Sequence, residues 1–236
     1  MSNLHGWNLS CAEARQVQVE LAGKVQFVPL KQEPRLVAGL DCAFSKDGKR
    51  IFAAAVVLKV VGSRVSASGS SKGFEFEHVE TVTAEQETRF PYIPGLLSFR
   101  EAPVCLEAVE KLRRQPDLFM IDGQGVAHPR RLGLASHLGL FLDRPTIGCA
   151  KSRLIGTYDE PGPEKGAYSL LYDGREVIGA VVRMRSRVKP VFVSIGHKCT
   201  LEDAIRVTLA CTTRYRIAEP TRLAHQAVSR LKPSVR

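Results

Sequence analysis

The chain has 236 residues, of which 44% are hydrophobic and 25% charged, and a formal net charge of +10. That supplies enough apolar material for one large domain, while no apolar run is long enough to span a bilayer. The excess of lysine and arginine points to a polyanionic partner, most often nucleic acid, and with no spanning run no membrane partner is expected. No signal-peptide pattern follows Met1, so a cytoplasmic location is expected. The six cysteines are scattered with no CxxC pair, which argues against a zinc site or a disulfide frame.

In chain order, a helix carrying both signs of charge is predicted from about Ser10 to Val25. Apolar runs over Leu36–Phe44 and Ile51–Val61, joined by the turn Ser45-Lys-Asp-Gly48, predict a hairpin. The segment Gly62–Gly73 is rich in serine and glycine and reads as a mobile connection. Phe74–Val82 alternates as a strand, and the polar Thr83–Phe90 reads as a short helix or turn. Two prolines stiffen the loop Pro91-Tyr-Ile-Pro-Gly95. A helix over Phe99–Arg114 and a strand over Leu118–Asp122 follow, then a helix over Leu132–Leu142 and a strand over Thr146–Ala150. Pro161-Gly-Pro163 marks another loop. A hairpin turns at Asp173-Gly174 between Tyr168–Tyr172 and Glu176–Met184. A short strand, Val191–Ile195, and helices over Leu201–Tyr215 and Glu219–Leu231 close the chain. The order β-β-β-α-β-α-β predicts a single α/β domain, 1–236, with a mixed sheet flanked by helices, which is also the order of a ribonuclease H-like fold.

Leu118-Phe-Met-Ile-Asp-Gly-Gln-Gly-Val-Ala-His128 stands out within that frame. Four apolar residues read as a buried strand that ends on Asp122, beside two glycines that let backbone or ligand come close. An acid at the carboxyl end of such a strand is where open α/β sheets bind ligands, although a plain strand and turn fits the same letters. Asp41 lies in the middle of an apolar strand, where an ionised side chain is costly unless paired. On a helix, Glu101 shares a face with Cys105, Ala108 and Leu112 and so points at the sheet. A capping box Ser98-x-x-Glu101 is the competing reading; Pro103 opposes it, because a helix starting near Arg100 would keep the proline in its first turn. Three acids converging in this layout repel one another unless a cation neutralises them, and oxygen ligands suit Mg²⁺, with Mn²⁺ as a substitute. Such ions serve phosphodiester chemistry.

The blocks Val37-Ala-Gly-Leu-Asp41, Pro91-Tyr-Ile-Pro-Gly-Leu-Leu-Ser-Phe-Arg-Glu101, Asp122-Gly-Gln-Gly-Val-Ala-His-Pro-Arg130 and Ala150-Lys-Ser-Arg-Leu-Ile-Gly156 resemble endonuclease V. Ser194-Ile-Gly-His197 and Tyr215-Arg-Ile-Ala-Glu-Pro-Thr221 do so too, and the likeness runs from about Val37 to Leu231, with a catalytic core of about 36–231. The resemblance implies a ribonuclease H-like, metal-dependent repair endonuclease. It would recognise hypoxanthine (deoxyinosine) in DNA and cut the second phosphodiester bond on its 3′ side. An inosine-specific ribonuclease acting on RNA and a catalytically idle nucleic-acid-binding module are the alternatives, and a monomer is expected.

Residue by residue, the resemblance makes Asp41, Glu101 and Asp122 metal-binding carboxylates. It makes His128 and Lys151 positively inclined catalytic groups beside the scissile phosphate. His197 would line a second metal position or merely flank the following helix, and Arg100 would touch phosphate or solvent. Pro91, Tyr92, Ile93 and Pro94 match a strand-separating wedge. Gly95, Leu97, Gly123, Gly125, His128, Gly133 and Leu154 match a pocket for the flipped base, in which glycine N–H groups approach O6.

Overall fold

The computed structural model describes residues 4–65 and 72–231. Eight strands form one mixed sheet in the order β3-β2-β1-β4-β5-β8-β7-β6. Its middle is parallel: β1 (Leu36–Phe44) runs beside β4 (Leu118–Ile121), and β4 beside β5 (Thr146–Ala150). All four residues of β4 are buried, as suits a parallel strand covered on both faces. Antiparallel strands β2 (Arg50–Val65) and β3 (Lys72–Glu87) extend one side. The other side carries β8 (Val191–His197), β7 (Glu176–Val182) and β6 (Tyr168–Asp173).

Side chains alternate along β1 and so divide the core. Ala38 and Leu40 pack with α2 (Leu97–Glu110) and α3 (Leu134–Leu142). Val37 faces the other way, toward Ala204, Ile205 and Val207 of α4 (Leu201–Ala210). On that same face α5 (Glu219–Ser229) lies against β1 and β2, with Ala224 and Val228 buried on Phe52, Ala54, Val56 and Leu58. The first helix, α1 (Cys11–Ala22), begins with a Ser10/Glu13 capping box. It buries Gln18 completely.

Four expectations change. Strands β2 and β3 run on into the Gly62–Gly73 segment, to Val65 and from Lys72, and residues 66–71 of that connection lie outside those described. Thr83–Phe90 is not a helix or turn through most of its length: residues 83–87 continue β3, paired to β2 from Ala54 back to Arg50. The segment is polar because β3 is the sheet's edge strand and exposes much of its length to water. Helix α2 starts at Leu97 rather than near Arg100, and Leu96 caps it without a side-chain hydrogen bond, so neither Ser98 nor a late start explains its beginning. Pro103 lies within the helix, which tolerates the missing N–H because its apolar face, Phe99 through Val109, is anchored in the core.

Candidate active site

β1 and β4 are parallel neighbours, with Leu40 opposite Ile121, and the Asp122 N–H donates to the Leu40 carbonyl at 3.0 Å. The next residue on each strand is an aspartate. Asp41, within β1, and Asp122, just past the end of β4, therefore emerge side by side where β4 ends at its carboxyl edge, the usual ligand-binding side of such sheets. Glu101 comes from α2 and is 9% exposed. Burial and the charges of Asp41 and Asp122 push its pKa up to about 8. Asp41 is raised by burial and by Asp122, against the pull of His225 and Lys151. A carboxyl held that high by burial and by neighbouring acids marks a place where positive charge is missing, and a cluster of carboxylates suits a hard divalent cation.

A further candidate ligand comes from α5, and the group of mutually close donor atoms it joins holds Asp41 and Asp122 but not Glu101. His225 Nδ1 donates to Asp41 Oδ2 at 2.7 Å. Donor atoms of Asp41, Asp122 and His225 all lie within 4.8 Å of one another. Lys151, just beyond β5, pairs with Asp122 Oδ2. Arg216 Nη2 donates to the carbonyls of Lys151 (2.9 Å) and Pro190 (2.8 Å), and its Nε to that of Lys189 (2.9 Å). This clamp fixes the segment that presents the lysine, and it gives the Tyr215–Thr221 motif a physical purpose.

Beside the acids opens a cavity of about 370 Å³, lined mostly by apolar surface. Asp122 and Lys151 form one wall. Gly95, Leu97, Gly123, His128, Gly133 and Leu154 also line it, as the expected base pocket requires. Gly125 does not. A β-carbon there would lie 2.0 Å from the Ile195 carbonyl oxygen, and its N–H donates to Ser194 Oγ, so it is a packing glycine against β8. Tyr92, Ile93 and Pro94 form the rim. Tyr92 is 72% exposed, the highest among large hydrophobic side chains of the described residues. An aromatic ring held that far into water on a proline-braced loop has no packing reason to be there.

The loop is moored at its end. Gly95 takes a positive φ of 78°, and its carbonyl accepts from three donors: Arg130 Nη2 at 2.7 Å, Gln18 Nε2 at 3.0 Å and His128 Nε2 at 3.0 Å. Arg130 Nε also donates to Gln18 Oε1 at 2.6 Å. His128 Nδ1 meanwhile accepts from the Arg130 N–H. Burial, Arg130 and Arg131 lower the His128 pKa to about 4. His128 is therefore a neutral wall of the cavity near pH 7, not the positively charged group expected from the sequence.

His197 is not at this site. It closes β8 opposite Thr146, the first residue of β5, so it lies at the end of the sheet away from Asp122 and Lys151. There its Nδ1 accepts from the Gln26 N–H and its Nε2 is 3.8 Å from Asp143. Arg100 turns toward Phe44, with its guanidinium carbon 4.3 Å from the ring centroid. His225, Gln18 and Arg216 were not among the expected site residues. The helical spacing Thr221-His225-Val228 was the available signal for His225, since it places the imidazole on the flank of the buried stripe.

The endonuclease V family model matches residues 19–226. Endonuclease V of Alkalilimnicola ehrlichii is 47% identical over 227 residues, covering 96% of this chain and 94% of that protein. The crystal structure of endonuclease V from Streptomyces avermitilis superposes with a TM-score of 0.85 at 43% identity, covering 95% and 94% of the two chains. Ciona intestinalis endonuclease V, solved with a 24-mer DNA containing an inosine followed by a ribo-adenosine, gives a TM-score of 0.75 at 28% identity, covering 93% and 96%.

Proposed function

From the premise that this chain belongs to the endonuclease V family, we propose that it is a Mg²⁺-dependent repair enzyme that finds deoxyinosine in DNA and hydrolyses the second phosphodiester bond 3′ to it. The family makes the chain an endodeoxyribonuclease. The observation that carries the finer reading is the contiguity of the apolar cavity with the acid cluster: Asp122 and Lys151 belong to both. A base lodged among Gly95, Gly123 and Leu154 would keep its own strand against the acids.

Each part of the chain has a role in this reading. Tyr92, on its braced loop, fills the gap left by the extruded base. The first turn of α2, at Leu97, presents a backbone N–H that suits a carbonyl such as O6 of hypoxanthine. Adenine would offer an amino group there. Asp41, Glu101, Asp122 and His225 would hold the cation, which supplies polarisation of the phosphate and activation of water. Lys151 places a positive charge beside Asp122, where it can face the phosphate oxygen. A binding module would gain nothing from acids at this position, because they repel phosphate.

The experiment is a cleavage assay on matched oligonucleotides carrying deoxyinosine, inosine or adenine, with and without Mg²⁺, and with product ends mapped. Cleavage of the deoxyinosine strand alone, dependent on metal and one nucleotide beyond the lesion's own 3′ phosphate, is expected. Faster cleavage of the inosine RNA would replace this substrate by RNA.

A further inference from the structure

The loop that carries Tyr92 borders two cavities. Tyr92 to Gly95 line the one beside the acids, and Pro91 lines a larger one of about 740 Å³ between the N-terminal segment, the end of β3 and α2. We propose that this second cleft receives the strand opposite the lesion, stacking its unpartnered base and holding its backbone. The proposal rests on the reading of Tyr92 as a strand-separating residue.

The chemistry of the walls suits a single-stranded nucleic acid. Trp7, half-buried, provides the accessible aromatic surface, with Phe90 and Phe99 buried behind it, and Arg89 and Arg100 provide positive charge against a single acid, Glu87. Single strands are held by this pairing of stacking faces with basic groups, without regard to sequence. Arg100 adds a second, independent sign. Its Nε is buried and has no hydrogen-bond partner among the described residues. Its guanidinium carbon lies 4.3 Å from the Phe44 ring centroid and 5.9 Å from that of Tyr92. A buried donor without an acceptor is costly and calls for a ligand that supplies one. A phosphate or base oxygen passing behind Tyr92 would do so. The turn after β1 extends the basic rim: the Thr88 N–H donates to the Lys49 carbonyl at 2.7 Å, which brings exposed Lys49 alongside exposed Arg89. A lesion flipped to one side of Tyr92 leaves its partner on the other, so the two cavities divide the opened base pair between them.

Trp7 is the only tryptophan of the chain and lies in this cleft, so its emission reports occupancy. The full-length protein is titrated, with Ca²⁺ in place of Mg²⁺ to suppress cleavage, against a short duplex with one deoxyinosine and against the deoxyinosine strand alone. Trp7 emission is expected to change with the duplex and to change little with the single strand. Arg89→Ala, an exposed substitution that leaves the core intact, should weaken duplex binding about tenfold and leave binding and cleavage of the single strand within about twofold. A second duplex with 2-aminopurine opposite the lesion reports strand separation by its own emission. Brightening of 2-aminopurine with no duplex-specific response of Trp7 or Arg89→Ala would overturn the second site and keep the role of Tyr92. A duplex-specific response of Trp7 and Arg89→Ala that Tyr92→Ala leaves unchanged would keep the site and remove the role of Tyr92; a 2-aminopurine stacked on Trp7 stays dark. Equal effects of Arg89→Ala on both substrates would overturn the site outright.

Discussion

Gly39 and Pro220 meet so closely that a β-carbon on residue 39 would lie 2.0 Å from the Pro220 carbonyl oxygen. This approach seats α5 on β1, two residues before Asp41 and on the same face of the strand. It is therefore the reason that His225 reaches Asp41 from a different element. Gly39→Ala should push α5 outward, destabilising the protein by about 1–3 kcal/mol and breaking the His225–Asp41 contact. Urea melts combined with cleavage rates at several Mg²⁺ concentrations would check this. A folded variant whose metal requirement matches that of the wild type would show that the contact does not depend on this packing.

Replacing Asp41, Glu101 or Asp122 by alanine should lower single-turnover cleavage by about a hundredfold or more. His225→Ala, which removes a half-exposed proposed ligand, should cost about 10–100-fold and be partly restored by raising the metal concentration. DNA binding in gel shifts should survive all four changes, because lost acids also remove repulsion. An Asp122→Ala enzyme that retains a tenth of the wild-type rate would place the chemistry elsewhere.

Metal and pH should act together on stability. Glu101 has a pKa of about 8 against an ordinary 4.5, so its contribution is complete below 4.5 and lost as pH rises through 8. His128 and His137, the latter fully buried in α3, act in the opposite sense: held at about 4 and about 3 by burial, they withdraw stability as pH falls below 6.5. Without metal, the wild type minus Glu101→Gln difference in stability should therefore shrink as pH rises from 4.5 toward 8. Mg²⁺ competes with the Glu101 proton, so its stabilising effect should grow over the same range. At a hundredfold excess over Kd it amounts to about 2.7 kcal/mol, or roughly 5–10 °C for a chain of this size. Thermal melts at pH 5 and 8, with and without Mg²⁺, give the four values needed. A Mg²⁺ shift that is the same at both pH values would separate Glu101 from the metal.

Tyr92→Ala should slow cleavage of paired deoxyinosine much more than cleavage of the same lesion in a single strand. Extruding a base from a duplex costs a few kcal/mol, and only the duplex needs that help. The comparison is the mutant-to-wild-type ratio of single-turnover rates on the two substrates at one salt concentration. Identical ratios would make Tyr92 a base contact or a surface residue.

The acids were legible because each breaks a local rule. Asp41 interrupts an apolar strand, Asp122 ends one, and Glu101 sits on the apolar face of a helix. His225 breaks none: a half-exposed histidine on an amphipathic helix is ordinary, and only the seating of α5 gives it meaning. Gln18 was hidden for the opposite reason, since a glutamine in a mixed-charge helix predicts exposure while its amide is buried on Gly95 and Leu132 carbonyls. Most strands were readable from apolar runs, but not their order in the sheet. The second half of β3 was not, because an edge strand carries the polar composition of a loop.

Three donors converge on the Gly95 carbonyl, one from α1 and two from the segment after β4. The Pro91–Gly95 loop thus has an anchored heel and a free toe. Grafting the loop sequence alone onto another scaffold would transfer the toe without its anchorage. Transplanting or reshaping base selectivity requires moving Gln18, His128 and Arg130 with it, as a unit in which Gln18 lies more than a hundred residues from the other two.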